Sequence, residues 1–600
     1  MTSSKKHPLA WIIPPLIAAW AGDIISRPVR QTWQASHDPA RSLNASLDAW
    51  KNPRPSINRI DLTAGLIAAT LILLTLLYQW AGAQTRRDGE EHGSAAWAEP
   101  KDMTPYTDKD PGKTLLMTAT QRLSLDTHKT RRNLNVLVTG ASGSGKTRGY
   151  VLPNMRNLAG HHTPISLAVT DPKGEIHAQT ASMMRRAGWQ VKTFNLIDMA
   201  SSDHFNPLDY MNPDDPEGDI MRLADNILTN TGKNKTSGDF WDKAARSLLT
   251  SLLAYTYFSA EPADRSLNTV TSMLSRMRAS ENDPDQASPI DDLMNETNEW
   301  IDDAHQASQD YDEEARRALD GLAFACSQYH TYSQGPAETR ASIITTLANQ
   351  TAGLMTHRIQ DILSDDTMSL DTIGDKPTVI YIIISDTNQT FTYLAAIFYQ
   401  CLFTSAIHRA DHNPTGSLTI PLHCMLDEFA NIGKIPGFPT LISTMRSRGI
   451  SVSVILQTIS QIKALYKDDW ETIAANCDSK LFLGGNDLTT TKWYSEILGS
   501  QTITTRSTTE NRGTNGSYSI QQSKQKRELL TPDELGRLDN TTSIYILRGL
   551  KPFHSKKTRL TFPLRLEGGP SPCGWADSGR IQVIEPCEAE RKGKCSPPNR

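Results

Sequence analysis

An apolar run, Asn133–Thr139, leads directly into Gly140-Ala141-Ser142-Gly143-Ser144-Gly145-Lys146-Thr147, a complete G-x-x-x-x-G-K-T sequence. Few short patterns constrain a fold so tightly. The glycines let the main chain wrap an anion closely, successive N–H groups turn inward, and the helix that must follow presents its positive end. Lys146 is expected to reach the outer phosphates of a nucleotide, and Thr147 to ligate Mg2+. ATP and Mg2+, held by Gly140 to Thr147, are therefore the expected ligands. A loop of this kind needs a buried strand before it and a helix after it, so the fold class is α/β around a parallel sheet.

Further strands are predicted wherever short apolar runs end in polar residues. They are Ser166–Thr170 before Asp171-Pro172-Lys173-Gly174-Glu175, Thr378–Ile384 before Ser385, Pro421–Leu426 before Asp427-Glu428, and Ser451–Leu456 before Gln457. Near-continuous apolar strands separated by helical segments are what a sheet covered on both faces requires, and ligands gather at the carboxyl ends of its strands. Asp427 at such a tip is suited to holding Mg2+ through its water shell, and Glu428 to polarising an attacking water as a base. That pair points to hydrolysis that drives motion, since a kinase would need a pocket for an acceptor. Gln457 is expected beside the terminal phosphate, where its amide would sense the loss of that group.

Composition excludes other classes. In 600 residues the chain has 62 Lys+Arg against 66 Asp+Glu, so no global basic field marks it for nucleic acid and any such site must be local. Its seven cysteines form no close pairs, as expected in a reducing compartment. The first hundred residues differ from the rest. Leu62–Thr85 carries no charge over 24 residues, long enough to cross a bilayer. Pro8–Gly22 is shorter and contains Pro14-Pro15, and it is expected as a second span rather than a cleaved signal. Six Lys/Arg between Arg27 and Arg59 would put the connecting loop inside the cell, whereas two spans with an internal ATP site put it outside. The ATP site decides the expectation here, because there is no ATP outside to bind.

In this order, several segments resemble the coupling proteins of type IV secretion and conjugation systems, especially the branch carried by Gram-positive conjugative elements. They are Gly140–Thr147, Thr170–Glu175, Phe240-Trp241-Asp242-Lys243-Ala244, Leu426–Gly433, Arg446–Ser451, Leu481–Gly485, Leu530–Leu535 and Leu547–Phe553. The resemblance spans roughly Leu115 to Leu564. It implies a membrane-anchored, RecA-like P-loop ATPase that forms a homo-hexameric ring, accepts relaxase-bound single-stranded DNA from the relaxosome and passes it to the channel proteins of a type IV secretion system. Localisation would be the cell membrane, multi-pass, with the ATPase in the cytoplasm. By the same resemblance Arg446, 19 residues after Asp427, corresponds to the family's arginine finger and Gln457, 30 after it, to its sensor. Arg448 is the rival for the finger. The expected catalytic set is Lys146, Glu428, Arg446 and Gln457.

The expected organisation is a membrane anchor over 1–85, with spans near 8–26 and 61–84, and a RecA-like domain from 86–215 and 336–565. An all-alpha insertion is expected over 216–335. Within the insertion, Glu281–Asp320 holds 14 acidic residues and only Arg316 and Arg317 as bases, a surface better matched to a basic protein such as a relaxase than to bare DNA. Lys233 and Lys235 are candidates for following a phosphodiester backbone. The polar stretch 500–527 is expected as a mobile loop and 566–600 as a disordered tail. Two other readings use the same motifs: an ATP-binding membrane receptor with little turnover, and a double-stranded DNA pump of the chromosome-segregation type.

Overall fold

The computed structural model describes residues 9–82, 89–232, 239–278, 288–306, 311–388, 390–511 and 517–558. The chain divides into two compact units, one of residues 1–94 with 500–527 and the other of 95–499 with 528–600. Lys233, Lys235, the 566–600 tail and Cys573, Cys587 and Cys595 lie outside the described residues.

Three helices open the chain: α1 (Leu9–Ser36), α2 (Pro39–Asp48) and α3 (Arg59–Gly82). The strands follow in order as β1 (Thr114–Leu116), β2 (Arg122–Ser124), β3 (Val136–Thr139), β4 (Ser166–Asp171) and β5 (Gln190–Asn195). After the helical insertion come β6 (Thr378–Ile383), β7 (Leu422–Leu426), β8 (Ile450–Leu456) and β9 (Ser479–Phe482). The last four are β10 (Ser500–Asn511), β11 (Ser517–Glu528), β12 (Thr542–Leu547) and β13 (Phe553–Lys556).

The larger unit is built on a nine-stranded sheet in the order β13-β12-β9-β3-β8-β7-β4-β6-β5. From β9 to β5 every pairing is parallel, while β12 and β13 add an antiparallel edge. Alternation along the strands supplies both faces. Leu137, Ala168 and Ile380 enter one core with the helix Thr392–Asp411, and Val136, Val138 and Val169 enter another with the helix Leu152–Gly160. All the predicted strands form, within a few residues of the expected bounds. The fold is RecA-like α/β.

Two expectations about organisation differ from what is observed. The helical run does not close at 335. Helices Ala337–Thr351 and His357–Ile362 continue it, and Ile343, Leu347 and Ile359 are buried in the same core cluster as Leu248 and Leu252. Gly335-Pro336 is only a break between helices, and read alone it mimics a domain end. The segment 500–527 is not a loop but the paired strands β10 and β11, with Thr505 Oγ1 2.9 Å from Ser523 Oγ across the ladder. Its composition is polar, yet Thr502, Thr504, Thr505 and Thr508 are β-branched and favour strand backbone, which outweighed the polarity.

In the smaller unit, α1 and α3 pack closely. A Cβ added to Gly65 would lie 2.5 Å from the carbonyl oxygen of Ala19, and one added to Gly22 would lie 2.9 Å from Gly65 Cα. Close backbone approach through small residues is the usual device of helix pairs in a membrane. Arg59–Gln79 in α3 is the one described helix segment long and apolar enough to cross a bilayer, with 11% of it buried. The first expected span lies in the 28-residue α1, which is not among the segments that meet that standard, and its apolar run is followed by Asp23, Arg27 and Arg30. The polar groups of α1 converge instead on the fully buried Asp61. Arg30 Nη2 lies 2.9 Å from its carboxylate, and Ser26 and Ser56 both donate to it.

Gly65→Val is predicted to push α1 from α3, since the clash is with backbone that cannot rotate away. Limited proteolysis of the detergent-solubilised chain should then cleave the 37–58 connection several-fold faster than in the natural chain.

Candidate active site

The strand order brings the predicted residues together. β8 lies between β3 and β7, and all three run parallel, so the loop after β3, Gln457 after β8 and Asp427-Glu428 after β7 share one edge of the sheet. Gly143 and Gly145 have φ of +76° and +90°, conformations a side chain resists. A Cβ on Gly140 would lie 2.3 Å from Ser144 Oγ. The loop is braced from β9, where Leu483 N donates to Thr139 O at 2.8 Å and Gly484 O accepts from Ala141 N at 2.9 Å. A helical segment starts at Thr147 with a wide first turn, Thr147–Val151, before Leu152–Gly160. Pro153 has no N–H for the carbonyl four residues back, which accounts for that widened turn.

Within this edge the side chains interlock. Thr147 Oγ1 donates to Asp427 Oδ2 at 2.8 Å. Lys146, buried, donates to Gly140 O at 2.9 Å and lies 3.3 Å from Glu428 Oε1. Gln457 Nε2 donates to both Glu428 oxygens at 3.1 Å. Glu428 adopts a left-handed backbone (φ +51°), a cost paid where the turn aims its carboxylate into the site. Burial raises the Asp427 carboxyl to about 6, with the Thr147 hydroxyl opposing the shift.

The residues fit the expected ligands. The glycines leave a cradle that a Cβ would fill, Ser144 Oγ is buried without a hydrogen-bond partner, and Lys146 presents an ammonium beside it. Thr147 and Asp427 offer the hard oxygen donors that Mg2+ takes. Sequence reasoning missed Lys557, just beyond β13, whose ammonium donates to Ser144 O at 2.8 Å and to Asn540 Oδ1 at 3.1 Å. Burial pulls its pKa down, and no pattern in Ser555-Lys556-Lys557 distinguishes it from a surface lysine.

The two arginines are distinguished by their partners. Both lie in the turn Met445–Arg448 that precedes β8, at the sheet edge opposite the phosphate loop. At about 3.3 Å per residue, the seven residues of β8 separate them from that loop by roughly 20 Å, farther than an arginine reaches. Arg448 is engaged, with Nε 2.7 Å and Nη2 2.9 Å from the Asp411 carboxylate. Arg446 is exposed and makes one long contact, 3.5 Å, to Thr127 O. Neither side chain completes the phosphate site of its own chain.

The model of the type IV secretory system conjugative DNA transfer family matches residues 97–560. The chain belongs to that family. It is 25% identical over 526 residues to the conjugal transfer protein TraG of Escherichia coli, covering 82% of this chain and 78% of that protein. Protein VirD4 of Agrobacterium fabrum is 23% identical over 430 residues, 70% of this chain and 58% of its own length. Among solved structures, the bacterial conjugative coupling protein TrwB in an unbound form aligns with a TM-score of 0.53 at 15% identity, covering 79% of this chain and 95% of that one. TrwB in complex with ADP and Mg2+ aligns with a TM-score of 0.51 at 15% identity, covering 78% and 95%. These likenesses agree with the RecA-like fold.

Asp427 has a measurable consequence. Its folded carboxyl holds a proton up to about pH 6, whereas the unfolded one releases it near pH 4. The folded state therefore loses stability as pH rises across that window, by roughly 1–3 kcal/mol, and the loss is complete at neutral pH. Asp427→Asn is expected to raise the melting temperature of the nucleotide-free chain at neutral pH, with the gain fading below pH 4. In the same thermal scans the variant should lose the stabilisation that Mg2+ with ATP gives the natural chain.

Proposed function

We propose that this chain is a membrane-anchored ATPase that drives relaxase-bound single-stranded DNA and protein into a type IV secretion channel. The observation that carries the reading is the meeting of Lys146, Thr147, Asp427, Glu428 and Gln457 at one sheet edge, in a chain of the conjugative DNA transfer family. The TrwB relatives solved with a non-hydrolysable ATP analogue and with ADP and Mg2+ support ATP and Mg2+ as the ligands.

In this reading Lys146 turns from Glu428 toward the β- and γ-phosphates, and Gly140 to Thr147 wrap them. Thr147 and Asp427 would hold Mg2+, which would supply charge neutralisation at the phosphates. Glu428, released from Lys146, takes the proton of the attacking water. Gln457, already bonded to Glu428, reads whether the terminal phosphate is present. Arg446 serves the site of an adjacent copy, which requires a ring, and a homo-hexamer is the assembly proposed. Its reach excludes its own site, and its weak contact with Thr127 leaves it available. Arg448 holds Asp411 and is a structural residue.

The anchor proposed is multi-pass, with α1 and α3 both embedded and the ATPase in the cytoplasm. Its support is the outward apolar surface of the pair, with Ile12, Leu16 and Ile17 on α1 and Leu66, Ile67 and Leu71 on α3 all exposed. The insertion is proposed as the docking surface for a basic relaxase. Glu296, Glu299, Asp302 and Asp303 are exposed on the helix Pro289–Gln306, with the exposed Trp300 among them as an apolar anchor.

Turnover by the solubilised full chain with single-stranded DNA tests the motor. Lys146→Ala should abolish hydrolysis, and Glu428→Gln should bind ATP yet slow hydrolysis by about 10²–10⁴. Arg446→Ala should slow turnover by about 10³ or more with nucleotide binding kept, and Arg448→Ala should lower stability rather than turnover. Assemblies mixing Arg446→Ala with Lys146→Ala chains should regain activity, because each supplies what its neighbour lacks. Failure of the mixture to exceed both parents would exclude action between subunits.

Docking is checked separately. Changing Glu296, Glu299, Asp302 and Asp303 to lysine should abolish salt-sensitive retention of a relaxase on the immobilised full chain while leaving basal ATPase unchanged.

A further inference from the structure

At the sheet edge opposite the phosphate loop, the helix Thr392–Asp411 ends beside the start of the helix Pro216–Thr231. The two run antiparallel: Asn226 donates to Gln400 midway along, and Asp214 meets His408 and His412 at the far end. We propose that Asp214, His408 and His412 form a binding site for a divalent transition metal, with Zn2+ as the ion best matched.

The argument begins with spacing. His408 and His412 are four residues apart, so both imidazoles project from one face of a helix end, with ring centroids 4.1 Å apart. His412 Nδ1 lies 2.9 Å from His408 O, and only a protonated nitrogen satisfies a carbonyl. That bond assigns the proton to Nδ1 and leaves the Nε2 lone pair free, the arrangement in which a metal-ligating histidine is normally oriented. Each Nε2 lies 3.5 Å from Asp214 Oδ2. Donors bound tetrahedrally to Zn2+ at about 2.0–2.1 Å stand roughly 3.3–3.4 Å apart, so both separations already match a coordination edge. No pair among the three donor atoms is more than 4.8 Å apart.

Electrostatics favour a cation at the same point. The negative end of Thr392–Asp411 and the positive start of Pro216–Thr231 meet there and largely offset, which leaves the Asp214 carboxylate as the net charge at the site. The neighbouring cations are committed elsewhere: Arg409 to Asp375, Arg448 to Asp411 and Arg222 to Asp219 and Asp215. Among the described residues, the carboxylate of Asp214 pairs with the two imidazoles and with no guanidinium. Two imidazoles and a carboxylate suit Zn2+ or Ni2+ and are a poor match for Mg2+, which separates this site chemically from Thr147 and Asp427. Three protein donors leave further positions to solvent. A bound ion would fasten the root of the helical insertion to the body of the sheet domain.

The test uses the detergent-solubilised full chain, stripped with chelator and free of nucleotide. Zn2+ is titrated in competition with a chromophoric chelator, and Co2+ is added separately to read the visible absorption of a coordinated site. The natural chain should bind Zn2+ saturably, and its melting temperature should rise with the ion. His408→Ala and His412→Ala should each weaken that binding by at least about 10–100-fold, the loss known even for outer-shell partners, and Asp214→Asn should weaken it as well. All three side chains are at least partly exposed, so the variants should fold, as their unchanged melting temperature without metal would report. Absence of saturable binding, or equal affinity and equal Co2+ absorption in the His408→Ala/His412→Ala double variant, overturns the proposal.

Discussion

A parallel sheet sends every one of its strands in the same direction, and here that constraint sorts the chemistry by edge. With β8 inserted between β3 and β7, the phosphate loop, the Asp427-Glu428 pair and Gln457 have no choice but to meet. The residues that precede those strands are carried to the other edge by the same rule. Arg446 and Arg448 before β8 and His408 and His412 before β7 all lie there. Had β3 and β7 been adjacent, Gln457 would have no route between the loop and Glu428. The interlock of Lys146, Glu428 and Gln457 is thus a consequence of strand order, and no single hydrogen bond in it has to be strong.

That interlock also holds Glu428 from two sides, by the Lys146 ammonium at 3.3 Å and the Gln457 amide at 3.1 Å. Phosphate oxygens attract an ammonium by the same charge-assisted bonding, so on the reading proposed above the binding of nucleotide would loosen Lys146 from Glu428. The raised carboxyl of Asp427 has its cause in the same crowding: burial disfavours its charged form more than the Thr147 hydroxyl and Lys146 favour it.

How much of this was legible in the sequence depended on whether a feature was local. The strands β3, β4, β6, β7 and β8 are short apolar runs with polar stops, and each was readable because burial on both faces leaves no alternation to confuse. The phosphate loop and Asp427-Glu428 were readable because their chemistry demands particular residues in sequence. Lys557 was not, since its role exists only through its contact with Ser144, more than four hundred residues away in the chain. The different surroundings of Arg446 and Arg448 were not legible for the same reason, since the partner of Arg448, Asp411, lies on a different element. Thr-rich β10 and β11 failed in another way: polarity and β-propensity gave opposite answers, and pairing between the two strands decided. The first membrane span was judged on its apolar core, while the charges that follow it are explained by Asp61, which a linear reading does not connect to Arg30.

The helix Pro216–Thr231 ties the two edges of the sheet together. At its C-terminal end, Asn230 accepts from Lys434 N at 2.7 Å and donates to Lys434 O at 2.9 Å, gripping the segment that continues from Glu428. Gly433 has φ +93°, and a Cβ there would lie 2.6 Å from Asn230 Oδ1, so the contact requires the glycine. Just before its N-terminal end, Asp214 lies 3.5 Å from His408 and His412 at the opposite edge. Between these two ends the helix packs against Thr392–Asp411 through Leu223, Ile227, Ile397 and Leu394, a close-packed core that holds its position on the sheet. One helix of the insertion thus spans from the segment after Glu428 to the far edge of the sheet, and the strand order that gathers the phosphate loop and Glu428 also fixes where the insertion departs.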